Sequence, residues 1–107
     1  MCWIGVCEAD QIQENRPFSG SVENNAVGIY LLDGKYYALE DICPHAYALL
    51  SQGFIEDGSV ECPLHGAVFD IKTGQCLGGP GERDLHCYRV RRVENHIQIR
   101  LTEETIA

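Results

Sequence analysis

Basic residues are scarce in this chain of 107 residues, with eight Lys and Arg against sixteen Asp and Glu and a formal charge of −8 at pH 7. That sign argues against nucleic acid as a partner, because phosphate binding rests on clustered cations. Long apolar runs are also missing. The longest uncharged stretch, residues 42–55, contains Pro44, His45 and Gly53 and is too short to span a bilayer. The start has no basic opening, and Glu8 and Asp10 close its apolar stretch at once, so no export signal and no membrane association are expected. Six cysteines in a chain without an export signal are expected to be reduced cytoplasmic thiols, not a disulfide framework. There is no G-x-G-x-x-G unit and no room for a Rossmann domain, which excludes a built-in nicotinamide or flavin site. Repeats, low-complexity tracts and linkers are absent, and the length fits one domain with a modest core.

What is present reads as strands and tight turns. Asp33-Gly34 joins residues 27–32 to residues 35–39, and Asp57-Gly58 precedes residues 59–61, both strong short-range hairpin signals. Thr73-Gly74 and Glu94-Asn95 mark further turns. Residues 96–101 alternate polar and apolar side chains, as do residues 88–91, the pattern of strands with one buried face. No segment carries a long 3.6-residue period with caps; residues 8–14 allow one helical turn at most. The expected fold class is all-β.

Two short motifs carry the chemistry. Cys43-Pro44-His45 is followed, after sixteen residues, by Cys62-Pro63-Leu64-His65. On extended backbone Cys43 and His45 point to one side with Cα atoms roughly 6.5 Å apart, from a rise of about 3.3 Å per residue. That span suits two neighbouring metals better than one. If each pair gives its Cys to one iron and its His to the other, the product is a [2Fe–2S] cluster with two Cys on one iron and two His on its partner. A single zinc takes the same donor types, but its usual spacings are C-x2-4-C and H-x3-5-H. Buried structural thiols beside surface histidines are the blander alternative.

Residues 41–85 resemble the cluster-binding region of Rieske proteins, in particular the small ferredoxins of bacterial aromatic-ring-hydroxylating dioxygenase systems. The similarity lies in the two ligand motifs, Leu50-Ser51-Gln52-Gly53, the Gly66 that follows His65, Phe69-Asp70, Thr73-Gly74 and Gly79-Pro80-Gly81. Pro44 departs from the Thr that many relatives carry. The resemblance implies a Rieske fold, with a basal antiparallel β-sandwich from residues 1–40 and 83–107 and an inserted cluster-binding subdomain over residues 41–82. It implies one [2Fe–2S] cluster held by Cys43, His45, Cys62 and His65, with the Pro80 loop covering it from a third side. It implies a monomeric electron carrier with no catalytic residues, loaded by a flavin-containing NAD(P)H reductase and emptied by a terminal Rieske oxygenase in aromatic hydrocarbon catabolism. A Rieske-like small subunit of an assimilatory nitrite reductase is the alternative within the same scaffold. A zinc module that only binds a partner is the alternative outside it.

The resemblance also sets a redox expectation. The high-potential Rieske branch has a disulfide between its ligand loops, and the matching positions here are Ala48 and Leu64. That branch also has a Ser and a Tyr whose hydroxyls reach cluster sulfurs, where this chain has Ala67 and Phe69. Donors to sulfur favour the more negative reduced cluster, so their loss places the potential at the low end of the Rieske range, about −150 mV. Two thiolates and two neutral imidazoles leave the oxidised cluster uncharged, which keeps this value above that of all-cysteine clusters near −400 mV. Ferric iron also makes the ligating imidazoles more acidic. Protein-film voltammetry is therefore expected to show a potential falling at alkaline pH by up to about 59 mV per unit. A potential independent of pH would count against histidine ligation.

Charge is uneven along the chain. Residues 1–82 hold twelve acids and three bases, a balance of −9, whereas residues 83–107 hold four acids and five arginines, or +1. Seven acids, Glu40, Asp41, Glu56, Asp57, Glu61, Asp70 and Glu82, crowd the cluster region against Lys72 alone. Such a field steers a protein towards basic patches on redox partners, an effect that salt weakens. The expected contact surface is the tip near His45 and His65, with Pro44, Ala46, Tyr47, Leu64 and Pro80 as apolar neighbours. Cys2, Cys7, Cys76 and Cys87 have no paired spacing and are read as ordinary thiols. His86 and His96 are read as strand residues, and Trp3 and Tyr88 as core. Arg83, Arg89, Arg91, Arg92 and Arg100 fit either a docking patch or the outward faces of two strands.

Overall fold

The strand β3 (Asn25–Leu32) is buried on both faces, and this organises the molecule. Its odd-numbered Val27, Ile29 and Leu31 belong to one core, while Tyr30 and Leu32 belong to another. Side chains alternate across a strand, so a nearly continuous apolar run can serve two cores at once. The neighbouring β4 (Lys35–Glu40) does the same, with Tyr36 and Ala38 in the first core and Tyr37 and Leu39 in the second. These two strands form the wall between base and site. The computed structural model describes residues 3–42, 48–64, 66–78 and 84–100.

Six strands make the larger sheet, all antiparallel, in the order β1 (Trp3–Glu8), β10 (His96–Arg100), β9 (Cys87–Val93), β4, β3 and β2 (Phe18–Val22). The sheet wraps round its first core, so that Ile97 and Ile99 of β10 share that core with Val27 and Ile29 of β3. A smaller sheet runs β5 (Phe54–Glu56), β6 (Ser59–Glu61), β7 (Val68–Asp70) and β8 (Cys76–Gly78). Its inward Val60 and Phe69 join Tyr30, Leu39 and Leu50 in the second core. The described residues are all-β apart from two single 3-10 turns, Ala9–Gln11 and Leu50–Gln52. The chain has the expected fold class.

Local turn chemistry places the hairpins where the sequence puts them. Asp33 and Gly34 both take positive φ (52° and 81°), as do Asp57 and Gly58 (52° and 79°), the backbone of two-residue hairpin loops. The helical turn expected over residues 8–14 shrinks to Ala9–Gln11, with the Gln11 side chain accepting from the Glu8 N–H at 2.8 Å. Two expectations change. Trp3 is not core: it is half-buried on the outer face of the larger sheet, where the Arg91 guanidinium stacks 4.3 Å from its ring centroid and that of Arg100 lies at 5.6 Å. Alternation along β1 sends Ile4 inward instead, beside the first core. His86 precedes β9 rather than lying within it, and its ring packs edge-on to Tyr88 at 4.6 Å.

Between β4 and β9 the chain leaves the larger sheet and returns. Its exit and entry are zipped together, because Glu40 N–H donates to the His86 carbonyl (2.9 Å) and His86 N–H donates to the Glu40 carboxylate (2.8 Å). Beside them Ala38 pairs with Tyr88 and Leu39 with Cys87. The smaller sheet is thus mounted on one end of the larger one.

Candidate metal centre

Strand β6 ends by delivering Cys62. The tight loop after it is closed by Cys62 N–H donating to the Ala67 carbonyl (2.8 Å) and Gly66 N–H donating back to the Cys62 carbonyl (3.1 Å). Cys62 is buried and packs in the second core with Ala67 and Phe69. His65, Cys43 and His45 lie outside the described residues, as do Pro44, Ala46, Tyr47 and the Gly79-Pro80-Gly81 loop. What the structure gives is how their segments are anchored.

The segment carrying Cys43 and His45 is tied at its neck. Ile42 bridges to Leu49, and Leu50 N–H donates to the Asp41 carbonyl at 2.7 Å. The side chain of Asp41 does more. One carboxylate oxygen accepts from Ser51 N–H (2.7 Å), and the other accepts from the hydroxyls of Ser51 and Ser19 (both 2.8 Å). Ser19 stands on β2 and Ser51 in the 3-10 turn, so one buried carboxyl joins the larger sheet to the ligand segment. Gly28 leaves room for it, since a Cβ there would lie 3.1 Å from the Asp41 carboxylate. Burial pushes the Asp41 carboxyl up from its ordinary range, while the bonds from Ser51 and Ser19 pull it down. Nearby, the buried Tyr30 hydroxyl has no hydrogen-bond partner among the described residues, and burial, then the Asp41 charge, raises its phenol.

Asp41 corrects the charge reading. It is fully buried, so it lends no carboxylate to the surface of the cluster region. Nothing in the spacing of the sequence distinguished it from them. The segment holding Pro80 is anchored in its turn by Asp84, whose carboxylate accepts from Cys76 N–H (2.9 Å), and by Leu85 N–H donating to the Gly74 carbonyl (2.7 Å).

Among the described residues no group of three metal-ligating side chains converges. Burial, with a smaller contribution from Glu8, pushes the Cys7 thiol up to about 11. Burial, then Asp70 and Asp84, also raises Cys87. Reaction follows the thiolate. At pH 8 a thiol with that pKa is only about 0.1 % thiolate. Cys7 is therefore expected to alkylate with iodoacetamide at least tenfold more slowly than a free cysteine, as peptide mass spectrometry would measure.

Ala67 and Phe69 are both buried in the Cys62 core, so hydroxyls introduced there would be held in a low-dielectric environment. Ala67→Ser with Phe69→Tyr is expected to raise the reduction potential by on the order of 100 mV, a fraction of the Rieske span. Square-wave voltammetry on the double variant would measure it, and an unchanged potential would refute the hydroxyl argument.

A buried thiol at a strand end, together with a second segment that is tied at its neck and carries Cys-x-His, offers donors of the kind that hold a mixed-ligand iron–sulfur centre, and that defines a class of β-fold electron carriers. The Rieske [2Fe-2S] domain matches residues 2–89, and the chain belongs to that family. It is 30% identical over 97 residues to the anthranilate 1,2-dioxygenase ferredoxin subunit of Burkholderia cepacia, covering 91% of this chain and 90% of that protein. It is 36% identical over 93 residues to the ferredoxin component of the naphthalene 1,2-dioxygenase/salicylate 5-hydroxylase systems of Ralstonia sp, covering 87% and 88%. The ferredoxin fold is shared with the solved complex of reduced oxygenase and oxidized ferredoxin in carbazole 1,9a-dioxygenase, with a TM-score of 0.82, 30% identity and 91% of each chain covered. The chain is thus an electron-transfer component that binds one Rieske cluster through Cys and His ligands, and not an enzyme. No helix among the described residues is long and apolar enough to cross a membrane.

Proposed function

We propose that Cys43 and Cys62 hold one iron and His45 and His65 its partner, within a cluster-binding subdomain spanning residues 41–82. On this reading the protein carries single electrons from a flavin-containing NAD(P)H reductase to the terminal oxygenase of an aromatic-ring-hydroxylating dioxygenase. When bound, the cluster supplies reversible one-electron chemistry and nothing else. The residues of the chain do the rest. Cys62 is already buried in the second core, and the Asp41 clamp and the Ile42–Leu49 bridge fix where the other ligand segment leaves the fold. That pairing of a buried thiol with a second pinned loop is the observation that supports the reading most.

The tip is the contact surface on this reading, and Leu64, at 68% exposure, is its described apolar member. Complexes there are expected to be short-lived, burying less than about 1,200 Å². The protein is read as a cytoplasmic monomer.

Purified protein should be reddish-brown, bleach with dithionite and contain about two irons per chain. A colourless preparation with one zinc would overturn the ligand assignment. Reconstitution with candidate reductases and oxygenases, following NAD(P)H-dependent oxygen uptake, then tests the pathway. Turnover with a nitrite reductase large subunit and not with any oxygenase would move the protein to the other branch of the scaffold.

A further inference from the structure

The smaller sheet has an outward face, opposite the one that packs on the second core. Paired residues of neighbouring strands share a face. The register therefore sets Phe54, Glu61, Val68 and Gly78 in one row across β5 to β8, and Glu56, Ser59 and Asp70 in the next. The other face is Ile55, Val60 and Phe69, which pack on the second core. Phe54 is 69% exposed, on an edge strand, with carboxylates at Glu56 and Glu61 beside it. None of the four strands contains a lysine or arginine. Acids alone would be ordinary protection of a sheet edge, but an outward phenylalanine works against that purpose. An aromatic anchor inside a rim of one charge is how a contact patch is built.

The position of the row matters as much as its chemistry. Phe54 pairs with Glu61, whose peptide leads directly into Cys62. Their Cα atoms are therefore no more than about 9 Å apart, from the cross-strand and along-chain spacings. A protein seated here meets the molecule beside Cys62.

We propose that this face is a second docking surface, for a redox protein presenting lysines or arginines around an apolar pocket that receives Phe54. The inference rests on the electron-carrier reading and adds a lateral contact to it. Charge complementarity selects the occupant, because the charged side chains on these four strands are all carboxylates, Lys72 lying beyond them in the turn after β7.

Ferricytochrome c, a lysine-rimmed haem protein, is a suitable probe. In stopped flow the dithionite-reduced protein gives one electron to one ferric haem, the cluster returns to its oxidised state, and no proton is needed. Phe54→Ala and the double variant Glu56→Gln/Glu61→Gln are each expected to lower the second-order rate at low salt at least fivefold, the double variant also flattening its dependence on ionic strength. A control of equal charge change on the turns of the larger sheet, Glu23→Gln/Glu94→Gln, is expected to change the rate less than twofold. Visible spectra should stay those of the parent, and each rate is compared after allowing for the variant's own measured potential. Face variants that match the control, with spectra intact, overturn the docking surface alone. A parent protein with no iron–sulfur spectrum sinks the carrier reading and this proposal with it.

Discussion

Gly53→Ala is expected to cost about 3 kcal/mol of stability, at the upper end of what overpacking exacts, and to leave less than half of the chains with iron. The backbone of Gly53 passes directly over β6. An added Cβ would sit 1.9 Å from the Glu61 carbonyl oxygen, 3.0 Å from its carbon and 3.1 Å from Pro63 Cδ. Neither backbone partner can swing aside as a side chain tip can. Relief requires moving the Leu50–Gln52 turn, which Gly53 N–H caps by donating to the Leu50 carbonyl (2.9 Å), or moving Glu61 itself. Either movement disturbs the seat of Cys62. Gly5→Ala, where nothing lies within 4 Å of the added atom, is the matched control and should stay within about 0.5 kcal/mol. Urea titration with iron analysis on both variants is the check. Equal stability of the two would show that the chains do not approach so closely.

Asp41→Ala is expected to be comparably severe, at about 3 kcal/mol, because it strips the acceptor from three donors at once: Ser51 N–H, Ser51 hydroxyl and Ser19 hydroxyl. Leaving the donors of half-buried Ser51 unsatisfied costs more than the bonds themselves contributed, whereas the exposed Ser19 hydroxyl can turn to water. Asp41→Asn keeps the shape and one acceptor oxygen but turns a donor towards a serine, so it should fall between the parent and the alanine variant. The same carboxyl bridges β2 and the turn behind the Cys43 and His45 segment. Iron content is therefore expected to fall in step with stability across the three proteins, as urea midpoints and iron assays on each would show. An alanine variant that loses stability yet loads iron fully would separate the clamp from the site.

The legible part of the fold was the local part. Asp33-Gly34 and Asp57-Gly58 announce their hairpins because the positive φ they need is a property of two adjacent residues. The strand at Ser59–Glu61 lies where the turn before it implies, and β10 follows the alternation over His96–Arg100. The ligand motifs were legible for the same reason, since donor type and short spacing are written along the chain. Trp3 was misplaced because an aromatic residue near an apolar stretch gives no sign of which face it occupies. Only the register with Arg100 settles that.

By itself, then, the sequence determined the all-β class, the hairpins and the family, all of which rest on residue chemistry and neighbours within a few positions. Tertiary structure alone decided that one acid of the crowded cluster region is an internal clamp, that Gly53 must be bare, and that Phe54 faces outward among carboxylates. Each depends on a partner from another strand or turn, and the long excursion between β4 and β9 brings those partners together only once the chain has folded.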